Sequence, residues 1–126
     1  MKIIIPCWQG RVSPLFDAAC TVLLIEMANG RELSRMVRQL EGPDPLQRVR
    51  QTVGFGADIL ICGAISGQLE CMLRSTGLQV IANICGAIDD VLSAYAEGSL
   101  LNTPFLLPGV HGIRRRLRNR QGGKNR

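Results

Sequence analysis

The side chains best suited to chemistry in this chain are its five cysteines, Cys7, Cys20, Cys62, Cys71 and Cys85. Two of them sit in copies of one pentapeptide, ICGAI, at residues 61–65 and 84–88, and Cys7 follows the apolar run that opens the chain. Thiolates are soft ligands that suit iron–sulfur, copper and molybdenum–sulfide units. A cysteine near a helix amino end is more acidic, and so a better ligand. The competing role is that of a small apolar core residue, which is the expectation for Cys20 and Cys71. The set is odd and contains no CxxC pair, so reduced thiols are expected in place of a disulfide framework.

What must position these thiols is the pair of ICGAI units. Each follows a strand-like apolar run, Ala57 to Ile61 or Leu78 to Ala82, and each precedes a helical pattern. Two strand–turn–helix units in tandem make a parallel pair, and in such a sheet ligands bind where strand carboxyl ends meet helix amino ends. Gly63 and Gly86 would give the backbone room there, and helix amino ends attract anions. Small residues and glycine also simply suit tight strand-to-helix turns.

The remaining elements follow from local signals. Lys2 to Pro6 reads as a short buried strand ended by the proline. Gln9 to Ala19 reads as a long loop. Thr21 to Met27 and Leu33 to Leu40 read as a hairpin about Asn29 and Gly30, its outer strand an edge guarded by Arg35 and Arg38. Asp44 caps a helix with Pro45 in its first turn and Leu46, Val49 and Val53 on its apolar face. Ser66 caps a second helix facing inward through Leu69, Met72 and Leu73, with Cys71 on its polar side. A third carries Ile88, Val91, Leu92 and Tyr95 inward, has Asp89 and Asp90 in its first turn, and closes at Gly98. Right-handed crossovers then give an α/β, ribonuclease-H-like three-layer fold, a five-stranded mixed sheet of order 3-2-1-4-5 with three helices. That order sends Cys7, Cys20, Cys62 and Cys85 to one sheet edge.

Composition bounds the rest. A chain of 126 residues with 46% hydrophobic content and few aromatics suits one α/β domain. No apolar run approaches a membrane span, no signal peptide is evident, and a cytoplasmic protein is expected. The net charge of +5 is uneven: residues 111–126 hold seven basic side chains and no acid, whereas residues 1–110 hold eight basic and ten acidic. Residues 1–98 are therefore read as the domain, and 99–126 as a basic tail expected to lack packed structure.

With these pieces in place, the chain resembles the dinitrogenase iron–molybdenum cofactor biosynthesis family. The resemblance rests on the opening MKIIIP, the loop GRVSPLFDAA, the hairpin NGRE, the central GADILICGAISG and the segment GLQVIANICGAIDDVLSAYAEG. That family includes NifX, the carboxyl-terminal part of NifB and the orange protein of sulfate reducers. It implies a small domain that carries an iron–sulfur or molybdenum-containing cluster without being an enzyme, and that meets a cluster donor or acceptor protein. Nitrogenase-associated members have His-Phe-Gly in the first loop, where this chain has Leu15, Phe16 and Asp17. The matched loop and turns nominate Ser13, Phe16, Asp17, Gly63 and Gly86 for cofactor binding, beside Cys7, Cys62 and Cys85 as metal ligands, with Trp8 either lining or lidding the site or packing against the loop.

An enzyme is not expected. Ribonuclease-H-like nucleases hold two metals on clustered carboxylates, and the first strand offers Ile3, Ile4 and Ile5 in their place. Neither a Walker motif nor HExxH is present, and the only histidine is His111 in the tail. The alternative reading is a nucleic-acid or protein-partner module acting through Arg114 to Arg120. Nucleic acid is the weaker form of it, because the tail has no aromatic residue among its arginines to stack a base.

Overall fold

The computed structural model describes residues 1–98, Leu100 and Phe105. Six strands and three helices run in the order β1 (Lys2–Trp8), β2 (Arg11–Val12), a 3₁₀ turn (Phe16–Ala18), β3 (Thr21–Ala28), β4 (Arg31–Gln39), α1 (Pro45–Gly54), β5 (Ile59–Ile61), α2 (Gly67–Ser75), β6 (Gln79–Ile81) and α3 (Ile88–Glu97). The sheet path is β4-β3-β1-β5-β6, with β2 paired to β1 off that path. Strand pairing is antiparallel from β4 to β1 and parallel from β1 to β6.

Sheet and helices form three layers. Odd-numbered residues of β1 and β5 (Ile3, Ile5, Ile59, Ile61) pack with Ile88, Val91 and Leu92 of α3. Even-numbered ones (Ile4, Leu60), with Cys62 just past β5, pack with Val49 of α1 and with Leu69 and Leu73 of α2. The strand period of two thus divides one apolar sequence between two cores. Ile3, Ile4, Ile5, Leu60 and Ile61 are each fully buried, and each contributes on the order of 2 kcal/mol by leaving water.

Three expectations are corrected. The sheet has six strands, and so departs from the five-stranded order 3-2-1-4-5: residues 11–12, read as loop, fold back on β1 through Cys7↔Val12 and Trp8↔Arg11. The turn between them is made by Gln9 and Gly10, both at positive φ. Nor does Pro6 end β1. The β5 ladder reaches only Ile3 and Ile4, so the donor that proline lacks falls past the paired residues, and the strand runs on to Trp8. Finally, α1 buries Arg48, Val49 and Thr52, while Leu46 and Val53 are exposed.

Local chemistry places the helices as expected. The Asp44 carboxylate accepts from Gln47 N–H, with Pro45 in the first turn, and Ser66 Oγ accepts from Leu69 N–H. Gly98 closes α3 at φ 78°, the left-handed cap that a side chain resists. Among the described residues no helix is long and apolar enough to cross a membrane.

Candidate functional site

Both ICGAI turns lie at the carboxyl edge of the sheet, tied by backbone bonds to one strap formed by residues 10–17. The first turn is held at the far end of the strap. Phe16 N–H donates to Ala64 O (2.8 Å), Ala64 N–H to Pro14 O (2.9 Å), and Ser66 N–H to the Asp17 carboxylate (2.9 Å). The second turn is held at the near end, where Val12 N–H donates to Gly86 O (2.9 Å) and Ile88 N–H to Gly10 O (3.0 Å). The turns also bond to each other's strands: Asn83 N–H donates to Gly63 O and Ile84 N–H to Cys62 O, each at 2.9 Å. Satisfied backbone pairs make this edge a fixed frame.

Each nominated residue has a definite place in that frame. Ser13 is buried, and its N–H donates to Pro6 O at 2.8 Å. A Cβ at Gly63 would stand 2.4 Å from Ser13 O and 2.7 Å from Pro14 O, so only glycine lets the strap pass. Gly86 is glycine for another reason, since its φ of 130° is one that other residues resist. Phe16 is fully buried as an anchor of the strap. Asp17 meets the amino end of α2, and with Ser66 it occupies donors that would otherwise serve an anion there. At α3 no side chain caps the amino end, Asp89 and Asp90 stand in the first turn, and Asp89 pairs with Arg35 at 2.8 Å.

Sequence reasoning missed Arg48. This side chain is 3% exposed, and its guanidinium donates to the carbonyls of Gly42 (2.6 Å), Phe16 (3.0 Å) and Ala19, with its carbon 5.6 Å from the Phe16 ring centre. It gathers the carbonyls at the end of the strap in place of a carboxylate partner. Its Nε is buried without a hydrogen-bond partner among the described residues. The one signal available was its spacing: Arg48 lies four residues before Thr52 and next to Val49, on a stripe that arginine seldom occupies.

The cysteines share an edge but are divided between its faces. Cys7 packs partly buried against the α3-side core, whereas Cys62 is wholly buried in the core beneath α1 and α2. The division follows from strand parity, because Cys7 continues Ile3 and Ile5 while Cys62 continues Leu60. Cys85 is half-buried beside Gly86, and its N–H donates to Phe105 O at 2.8 Å. Cys20 and Cys71 are both exposed, contrary to the expectation that they fill core space. Burial pushes the Cys7 thiol above its ordinary range, which disfavours the thiolate. No three His, Cys, Asp or Glu side chains among the described residues stand where they could jointly hold a metal ion.

Outside the frame lies an apolar groove of about 280 Å³, lined by Trp8, Ser13, Pro14, Leu15 and Ala18. Trp8 is 59% exposed and Leu15 42%. Trp8 thus stands at the surface of the edge beside the loop residues Pro14 and Leu15. The arginines of residues 114–120, the basis of the alternative reading, lie outside the described residues, as does His111.

No family model matches the chain, and no curated protein matches it significantly in sequence. Solved structures do match. A Methanocaldococcus jannaschii protein described provisionally as a dinitrogenase superposes with a TM-score of 0.65 at 20% identity, over 79% of this chain and 91% of that one. The apo form of the orange protein from Desulfovibrio gigas superposes at 0.66 and 16%, covering 79% and 89%. A Thermotoga protein described provisionally as NifB superposes at 0.60 and 22%, covering 86% and 98%. This chain has their fold. In each case most of the other protein is covered.

Proposed function

We propose that this chain is a non-enzymatic carrier whose cargo is an anionic metal–sulfur cluster, iron–sulfur or molybdenum-containing, seated at the carboxyl edge of a ribonuclease-H-like domain. The observation that carries this reading is the strap. Residues 10–17 hold both ICGAI turns in register by hydrogen bonds to their backbone, which builds a preformed edge where strand carboxyl ends meet helix amino ends. Names borne by proteins of the same fold, dinitrogenase, NifB and orange protein, point the same way.

In this reading Cys7 and Cys85 are the thiols available to the cargo. Cys62 supports the edge from the opposite core, because a fully buried side chain on the other face cannot reach the same ligand. Ser13, Phe16, Asp17, Gly63 and Gly86 shape the frame, while Trp8 and the groove beside it give the cargo, or the protein that delivers or receives it, an apolar wall. Cytoplasmic work with such a donor or acceptor is part of the proposal.

The test is anaerobic incubation of the full chain with iron, sulfide and thiomolybdate, followed by gel filtration, metal analysis and visible absorption. Stoichiometric metal with charge-transfer bands is the expected result. A colourless, metal-free protein under conditions that load a known carrier would overturn the proposal.

A further inference from the structure

The sequence repeat and the sheet repeat are out of phase. In sequence Ile84 takes the place of Ile61, whereas the ladder sets Ile81 opposite Ile61. Continued along the sheet, the counterparts of Cys62 and Gly63 are Ala82 and Asn83, and Cys85 lies beyond them. A regular parallel ladder that takes Cys62 N–H to Ile81 O (3.0 Å) would next bring Asn83 N–H to the Cys62 carbonyl. That carbonyl takes Ile84 N–H instead, and Asn83 N–H turns to Gly63 O, both at 2.9 Å. One residue is thus inserted, as in a β-bulge. The side chains record the same event. Ala82 belongs to the core beneath α1 and α2 and Ile84 to the α3-side core, although residues two apart on a regular strand share a face. Cys85 is half-buried and part of neither core.

We propose that Asn83 is a positioning residue for the second thiol: its left-handed backbone makes the insertion that sends Ile84 into the α3-side core and keeps Cys85 outside both cores, within reach of a ligand. Asn83 has a φ of 65°. Among the described residues the other non-glycine positions at positive φ are Gln9 and Asn29, and each opens a two-residue turn completed by glycine. Asn83 has no hairpin to make and is followed by Ile84, so its conformation serves the bulge alone. Bulges beside binding sites commonly re-aim a side chain. Without this one, Cys85 would share the face of Ile81, which packs on the α3-side core. The positioning rests on the carrier reading only for its purpose.

The test is the rate at which iodoacetamide alkylates each cysteine of the full chain, read peptide by peptide by mass spectrometry. Glycine enters the left-handed region freely, and a β-branched residue resists it. Asn83→Gly should therefore label Cys85 at the wild-type rate, while Asn83→Val should slow it severalfold. Exposed Cys20 and Cys71 should not change, and Cys62 should stay slow throughout. If Asn83→Val does not fold, Asn83→Ala carries the same test with a smaller slowing.

Wild-type labelling of Cys85 in the folded Val or Ala variant would overturn the proposal. So would equal slowing in Asn83→Gly, because the amide side chain and not the backbone would then matter. A parallel rise at Cys62 and Cys85 would mark general loosening and also contradict it. If labelling follows the expected pattern but neither the wild type nor Asn83→Gly takes up iron and sulfide, the positioning stands and the carrier reading falls.

Discussion

The two ICGAI turns compare the same five residues in two settings. In the first, the turn is crossed by the strap at the van der Waals limit, Cys62 is sealed in a core, and Asp17 closes the helix that follows. In the second, the strap touches only from the side, Cys85 is half-buried, the next helix lacks a side-chain cap, and the Phe105 carbonyl accepts the Cys85 N–H. The motif specifies a strand-to-helix turn, and the neighbours decide whether that turn is structural or accessible. Repetition in sequence therefore does not imply two equivalent ligand positions.

The comparison can be broken at its glycines first. Gly63→Ala would drive a Cβ into two backbone oxygens, so a loss of about 3 kcal/mol or more is expected in urea unfolding. Gly86→Ala meets only side chains at ordinary contact distance, but it is held at positive φ, and should cost roughly 1–3 kcal/mol. Equal losses would show that the two turns are equally constrained. Next comes Arg48→Met, which strips the strap's end of its buried donor and should cost about 2–3 kcal/mol. Labelling of Cys62 and Cys85 would sharpen the point, for loosening this end of the strap should expose Cys62 more than Cys85.

Smaller effects follow. Asp17→Ala removes an acceptor at the amino end of α2 and should cost about 1 kcal/mol, the size of a lost cap; a change below the error of the measurement would mean that Ser66 alone suffices. The smallest concerns Cys7. Its thiol is pushed up by burial, so the folded state favours the neutral form. The associated stability is present below the ordinary thiol pKa and is lost as pH rises toward the folded value. Alkylation of Cys7 should accordingly begin at a higher pH than in a short peptide of the same sequence. Identical pH profiles would contradict burial as the cause.

The readable parts of the fold were those governed by local chemistry. Asp44 with Pro45, Ser66, Gly98 and Asn29–Gly30 each act within one turn of chain, and all are where their types predict. The convergence of cysteines on one edge was also legible, because element order and crossover handedness determine it. Their division between faces needed the period of two along β1 and β5, which separates Cys7 from Cys62 although both end strands. What was not legible depends on distant partners. Arg48 is buried because three carbonyls of other segments converge on it, and nothing local to α1 announces them. Residues 11–12 pair only because Gln9 and Gly10 turn the chain back. Phe105 lies among prolines, glycines and arginines that read as a tail, and its place becomes evident only from the turn it bonds to.

The central claim is that cargo sits at the second turn, and it is tested most directly by metal content after anaerobic loading of Cys85→Ser beside Cys71→Ser. Both substitutions remove one thiol. Cys71 is exposed on α2, so it controls for the loss of a thiol as such. Severalfold less metal per chain is expected in Cys85→Ser, with Cys71→Ser loading like the wild type. Equal loading of the two variants would contradict the claim that the Cys85 turn holds the cluster.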